Sequence, residues 1–212
     1  MEALAWSHLA QGKLPDALRA IDALEVEALS SHLDFGVALA PVLRGMVQLQ
    51  SGQYAKGLAE LTGAERVRLD GLTDGQKKHL IAMRLASTAE AQARLGQVLE
   101  AENALGALDA LYTENARDPV GIDLSSYARG QIALGKKDPH GAVVAFQRCS
   151  EPFDLCRMAL AEAQDAAGEA SAANDTRTAL LKANHRDALY WFVRAQTQKF
   201  WPGKKVASDR VK

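Results

Sequence analysis

Residues 9–24 read LAQGKLPDALRAIDAL, and this stretch decides the fold. At its centre Gly12 can take the positive φ that ends a helix, and Pro15 suits the first turn of a new one. Small and apolar residues then recur at Ala17, Ile21 and Leu24, spaced as on one face of a helix. The local unit is helix, glycine turn, helix.

The unit recurs in LQSGQYAKGLAEL (49–61), ARLGQVLEAENAL (93–105) and AQDAAGEASAANDTRTALL (163–181). Its glycines are Gly12, Gly52, Gly96, Gly135 and Gly168, separated by 40, 44, 39 and 33 residues. Each is expected to mark a tight turn. Seven positions before them stand Ala5, Gly45, Ala89, Ala128 and Ala161; five positions after four of them stand Ala17, Gly57, Ala101 and Ala173. After Gly135 the equivalent is Ala142, two residues late. Larger residues follow at Ile21, Leu61, Leu105 and Phe146, whereas Arg177 breaks the series and marks the last repeat as atypical. Small residues belong where the two helices of a hairpin cross closely, and large ones fill the layer to the next hairpin.

This pattern resembles the tetratricopeptide repeat (TPR) family, whose repeat is about 34 residues long. The resemblance implies an all-α fold: a right-handed superhelical array of about five antiparallel helix hairpins. The longer steps imply longer helices or loops at SSHLDFG, DGLTDG and ENARDPVG. Hairpins are expected at 2–10 and 15–29, 34–51 and 54–68, 74–95 and 98–114, 121–135 and 139–149, and 152–167 and 169–183. Pro41 should kink its helix or start it late. Thr73 and Gln76 fit a capping box. A last helix over 186–199 would cap the final apolar face of the array. Residues 1–199 read as one domain, with 200–212 as a tail.

Composition agrees. Only 6 prolines interrupt the chain, and β-branched residues do not alternate with polar ones. A net charge of −1 offers no electrostatic case for nucleic acid. No apolar run approaches the ~20 residues of a membrane span, and the start lacks a cationic signal-peptide region. The helical pattern is already under way at Met1, which leaves room for a segment upstream. The alanine content suits a GC-rich bacterial genome.

Cys149 and Cys156 flank SEPFDL, which must reverse the chain between two helices. Two readings stand: a disulfide pinning neighbouring repeats, or two buried thiols acting as small apolar residues. The cytoplasm is the expected location unless the disulfide forms, which would imply a periplasmic or secreted protein.

No Ser-His-Asp ordering or phosphate loop is present, and the five histidines are scattered. No catalytic residue, metal or cofactor is therefore expected, and the chain reads as a protein other than an enzyme. In the TPR family the first helix of each hairpin lines a concave face. The resemblance places Trp6, Val42, Met46, Leu49, Glu90, Tyr127, Gln131 and Glu162 there, apolar at first and then polar and acidic. Such a groove suits a protein or peptide segment. One TPR subtype clamps a partner's C-terminal carboxylate with Lys, Asn and Arg; Val42, Leu43, Met46, Ala86 and Glu90 stand in those places, which argues against that mode.

Tyr190, Trp191 and Phe192 cannot all face one side of a helix, since each step turns about 100°. With Trp201 they form either a self-association surface for a second copy of the chain or a cap folded back on hairpin five. The expected function is a protein–protein interaction scaffold. The alternative is a regulatory or sensory module of a larger kinase or transcription regulator, binding a small ligand or controlling self-association.

Overall fold

Among the described residues, glycine and proline punctuation separates one helix from the next. The computed structural model describes residues 1–183 and 188–199, and these contain eleven α-helices and no strand. They are α1 (Glu2–Ala10), α2 (Leu14–Ser30), α3 (Asp34–Gln50), α4 (Tyr54–Ala64), α5 (Asp74–Arg94), α6 (Val98–Ala110), α7 (Pro119–Gly135), α8 (Pro139–Phe146), α9 (Asp154–Ala166), α10 (Ala170–Lys182) and α11 (Tyr190–Lys199). A single 3-10 turn at Thr113–Asn115 precedes α7. None of these helices is long and apolar enough to cross a membrane. The expected tail, 200–212, lies outside the described residues.

Local chemistry sets most boundaries. Thr73 accepts from the Gln76 backbone N–H while the Gln76 side chain accepts from the Thr73 N–H, the reciprocal capping box. Asp118 and Asp138 cap α7 and α8 through their carboxylates. α4 ends at Ala64 rather than near 68, because Val67 and Leu69 turn in to pack beneath α1–α3. α3 begins at Asp34, so Pro41 neither delays it nor ends it; the proline sits inside the helix and leaves the Val37 carbonyl without its usual donor.

The repeat register becomes the packing register. Ala5 and Ala17, Ala89 and Ala101, Ala128 and Ala142, and Ala161 and Ala173 are all buried, as are Ile21, Leu61, Leu105 and Phe146. In the second hairpin both crossing residues are glycines: a Cβ added at Gly57 would lie 2.9 Å from the Gly45 carbonyl oxygen. Even alanine would push α3 and α4 apart there.

Gly12, Gly52, Gly96 and Gly168 take φ between 75° and 83° and turn their hairpins. Gly135 does not. It ends α7, and a Cβ there would meet the Ala93 carbonyl oxygen at 2.8 Å, so this glycine serves the close approach of α7 to α5. The left-handed turn falls two residues later, on Lys137 at φ 59°. That displacement accounts for the late arrival of Ala142.

Consecutive helices pack in antiparallel pairs, and the odd-numbered helices also touch the next odd-numbered helix: α1 with α3, α3 with α5, α5 with α7, α7 with α9, α9 with α11. The sixth contact joins α11 to α1. Phe192 of α11 stacks against Trp6 of α1, ring centroids 5.5 Å apart, and both are buried with Val193, Leu180, Leu9 and Leu43 in one core. The expected capping helix therefore covers the last hairpin and reaches the first, closing a circuit of six helices.

Polar ties hold neighbouring hairpins in place. Arg44 on α3 reaches Asp22 at 2.8 Å and Glu25 at 2.9 Å on α2, and Glu60 on α4 at 3.8 Å. Asp123 on α7 accepts from both the backbone N–H and the hydroxyl of Ser150, each at 2.6 Å. Cys149 and Cys156 are joined by a disulfide, Cα atoms 6.5 Å apart, which staples the end of hairpin four to the first turn of α9.

Because a lysine in the left-handed region carries a steric cost of about 1 kcal/mol that glycine escapes, Lys137→Gly should stabilise the chain. After allowing for the glycine's greater freedom when unfolded, the expected rise in Tm is roughly 2 °C, measured by thermal denaturation.

Candidate functional site

Residues four apart on a helix share a face, and three such pairs define the lumen of the helical circuit. On α5 they are Glu90 and Arg94, on α7 Tyr127 and Gln131, on α11 Phe192 and Gln196. Leu49 and Gln50 from the end of α3, and Leu155, Met158 and Glu162 from α9, complete a cavity of about 220 Å³. With Tyr54 at the start of α4, six helices contribute to one half-open space.

Glu90 is the chemical centre of this space. It is only 5% exposed, yet it is a carboxylate. Burial pushes its pKa up to about 6, while Arg94, the Tyr127 hydroxyl and the Gln50 amide each favour the charged form and Glu162 opposes it. Gln50 donates to Glu90 at 3.1 Å. The Tyr127 hydroxyl also donates to it, and burial with the adjacent carboxylate raises the phenol well above its ordinary value, so it stays a neutral donor.

Glu162, on the opposite wall, is also raised by burial, with Arg94 and Arg177 acting against that shift. Its carboxylate lies 3.9 Å from the Arg94 guanidinium. Arg177, the residue that breaks the repeat pattern, pairs with Asp165 instead. Two carboxylates therefore share one guanidinium at the cavity.

Gln131 supplies the unresolved element. It is 1% exposed, and its Oε1 accepts no hydrogen bond from any described residue. A buried amide carbonyl without a donor costs on the order of 1–3 kcal/mol. Such an atom in a cavity wall marks a place for a bound group.

Of the eight groove residues read from the sequence, Leu49, Glu90, Tyr127, Gln131 and Glu162 come together at this cavity. The other three are taken up in packing. Trp6 is buried against Phe192; Val42 packs with Leu61, Ala64 and Ala91; Met46 is half-buried between the two cores around α3. Sequence reasoning missed Gln50, Arg94 and Gln196. Arg94 had a signal, since it stands one turn from Glu90, whereas Gln196 reaches the cavity only because α11 folds across it.

In the aromatic run, Tyr190 and Phe192 are buried and Trp191 is 62% exposed. The Tyr190 hydroxyl donates to the Ala183 carbonyl at 2.9 Å, which ties α11 to the end of α10. Trp201 lies outside the described residues. No group of three or more His, Cys, Asp or Glu among the described residues is placed to hold a metal.

No family model, curated protein or solved structure matches this chain.

Replacing the unsatisfied amide by a hydrocarbon of similar size, Gln131→Leu, should raise the stability of the ligand-free chain by about 1 kcal/mol, read as a Tm increase of roughly 2–4 °C. Glu90 should make stability fall as pH rises. Its folded pKa of about 6 exceeds the ordinary 4.5, so the folded state binds the extra proton, and stability present below pH 4.5 is lost as pH climbs through 6. The loss is on the order of 2 kcal/mol. In Glu90→Gln this component should vanish, so the Tm difference between variant and parent should grow between pH 4.5 and pH 6 and level off above it.

Proposed function

We propose that the chain is a binding module built from TPR-like helical hairpins, without catalysis of its own, that seats an anchor group of a partner segment in the luminal cavity. The carrying observation is the convergence of Leu49, Glu90, Tyr127, Gln131 and Glu162 on one cavity that contains a buried, undonated carbonyl. The burial of small residues at each hairpin crossing supports the TPR likeness.

The cavity sets the mode of binding. A whole helix is about 10 Å across and does not fit in 220 Å³. A partner would therefore insert one side chain or one terminus while the rest of its segment stays outside. The staple between Cys149 and Cys156 fixes the start of α9, the helix that carries Met158 and Glu162. A bond of this kind fits a chain working in an oxidising compartment.

The dimensions also suit the second reading, a sensory or regulatory module whose ligand is a small molecule. Glu162→Arg separates site from bystander in both cases, because this half-exposed residue fills the cavity with an opposite charge without disturbing the core. The full chain, probed against arrayed peptides and a small-molecule fragment set, should retain ligands that Glu162→Arg loses at least tenfold. Hits confined to peptides favour the partner segment, and hits confined to fragments favour the small ligand. Ligands that Glu162→Arg retains equally well would show that the cavity is not the binding site.

A further inference from the structure

The cavity's charged groups are unbalanced, two carboxylates to one guanidinium. Its acceptors are the carboxylates of Glu90 and Glu162 and the undonated Oε1 of Gln131, beside the Gln131 and Gln196 amide N–H groups and the Tyr54 hydroxyl. The donors nearest Glu90 are already engaged. The Tyr127 hydroxyl and the Gln50 amide donate to Glu90, and Arg94 lies between Glu90 and Glu162. With both carboxylates ionised, the site carries two negative charges against one positive. Asp165 and Arg177 beside it cancel each other. A ligand that satisfies the site brings hydrogen-bond donors and a single positive charge.

Donor number discriminates between cations. A primary ammonium offers three N–H donors, while a guanidinium offers five in a rigid plane and would leave donors facing Arg94. The acceptors come from three helices, α5, α7 and α9, rather than from one face of one helix. The remaining walls, Leu49, Leu155, Met158 and Phe192, are apolar and suit a hydrocarbon stem. At about 30 Å³ per heavy atom, judged from the volume of a water, a cavity of 220 Å³ holds about seven such atoms. An ammonium on a four- or five-carbon stem fits that limit.

We infer that the cavity binds a primary ammonium on a short apolar stem, its three N–H donors shared among Glu90, Glu162 and the Gln131 carbonyl. The inference rests on the cavity being the binding site, as proposed above. The stem belongs either to a free aliphatic amine or to a lysine side chain presented by a partner.

Calorimetric titration of the full chain tests this with n-pentylamine, the neutral 1-pentanol, the anionic pentanoate, a short lysine-bearing peptide and the same peptide acetylated on the lysine nitrogen. The expected result is saturable binding of pentylamine or of the lysine peptide, with the alcohol and the acetylated peptide at least tenfold weaker and pentanoate silent. Gln131→Leu and Glu162→Gln should each weaken the cation at least tenfold. Glu162→Gln sits on a half-exposed residue, so it reports on binding independently of the buried substitution. Binding of pentylamine alone assigns a free amine, and binding of the lysine peptide alone assigns a partner chain. Pentanol or pentanoate binding as tightly as pentylamine would overturn the ammonium while leaving the cavity as the site. Silence of all five probes, alongside fragment or peptide ligands that Glu162→Arg abolishes, would likewise overturn the ammonium alone. Silence of all five with no ligand sensitive to Glu162→Arg would remove both readings.

Discussion

Trp6 against Phe192 is the contact on which the arrangement depends. The two rings join the first helix to the last, and both are buried. Without them the hairpins would still form, because each depends on its own tight turn and small-residue crossing. The lumen would not. Phe192 is at once the partner of Trp6 and a wall of the cavity, so one side chain both closes the circuit and shapes the cavity. The closure has a cost: the Trp6 indole N–H is buried and finds no acceptor among the described residues. Aromatic packing outweighs it, since rings of this size bury 150–250 Å² each.

The cavity inverts the logic of the surrounding core. Elsewhere, alanines and leucines fill space without polar obligations. Here Glu90 holds a charge against burial, and Gln131 keeps a carbonyl undonated. Neither group stabilises the ligand-free fold, and an apolar residue at either position would pack more cheaply. Polar groups held at such a cost are characteristic of sites arranged for another molecule. The disulfide and the Asp123–Ser150 bonds act in the opposite sense, fixing α7, the end of hairpin four and the start of α9 around that space.

Hairpin four shows where reading a sequence by register reaches its limit. The glycine at 135 looks like its four counterparts, but its missing Cβ is used against the Ala93 carbonyl, and Lys137 makes the turn. A glycine supports a positive φ and a close backbone approach equally well, and sequence spacing does not distinguish them. The two-residue lag of Ala142 was the legible trace of the difference. Pro41 is a similar case, since α3 tolerates the loss of one hydrogen bond inside a well-packed helix.

The sequence by itself determined the helices, their pairing into hairpins and the small residues at each crossing, because these follow from periodicities and turns spanning a few residues. Through the resemblance it also put Leu49, Glu90, Tyr127, Gln131 and Glu162 on one face together with Trp6, Val42 and Met46. Only the tertiary structure decided that Trp6 and Met46 are packing residues and that Gln50, Arg94 and Gln196 line a cavity. That decision depends on α11 returning to α1 across most of the chain. No local pattern carries such a contact, since it arises from the summed rotation of five hairpins and the meeting of two apolar ends.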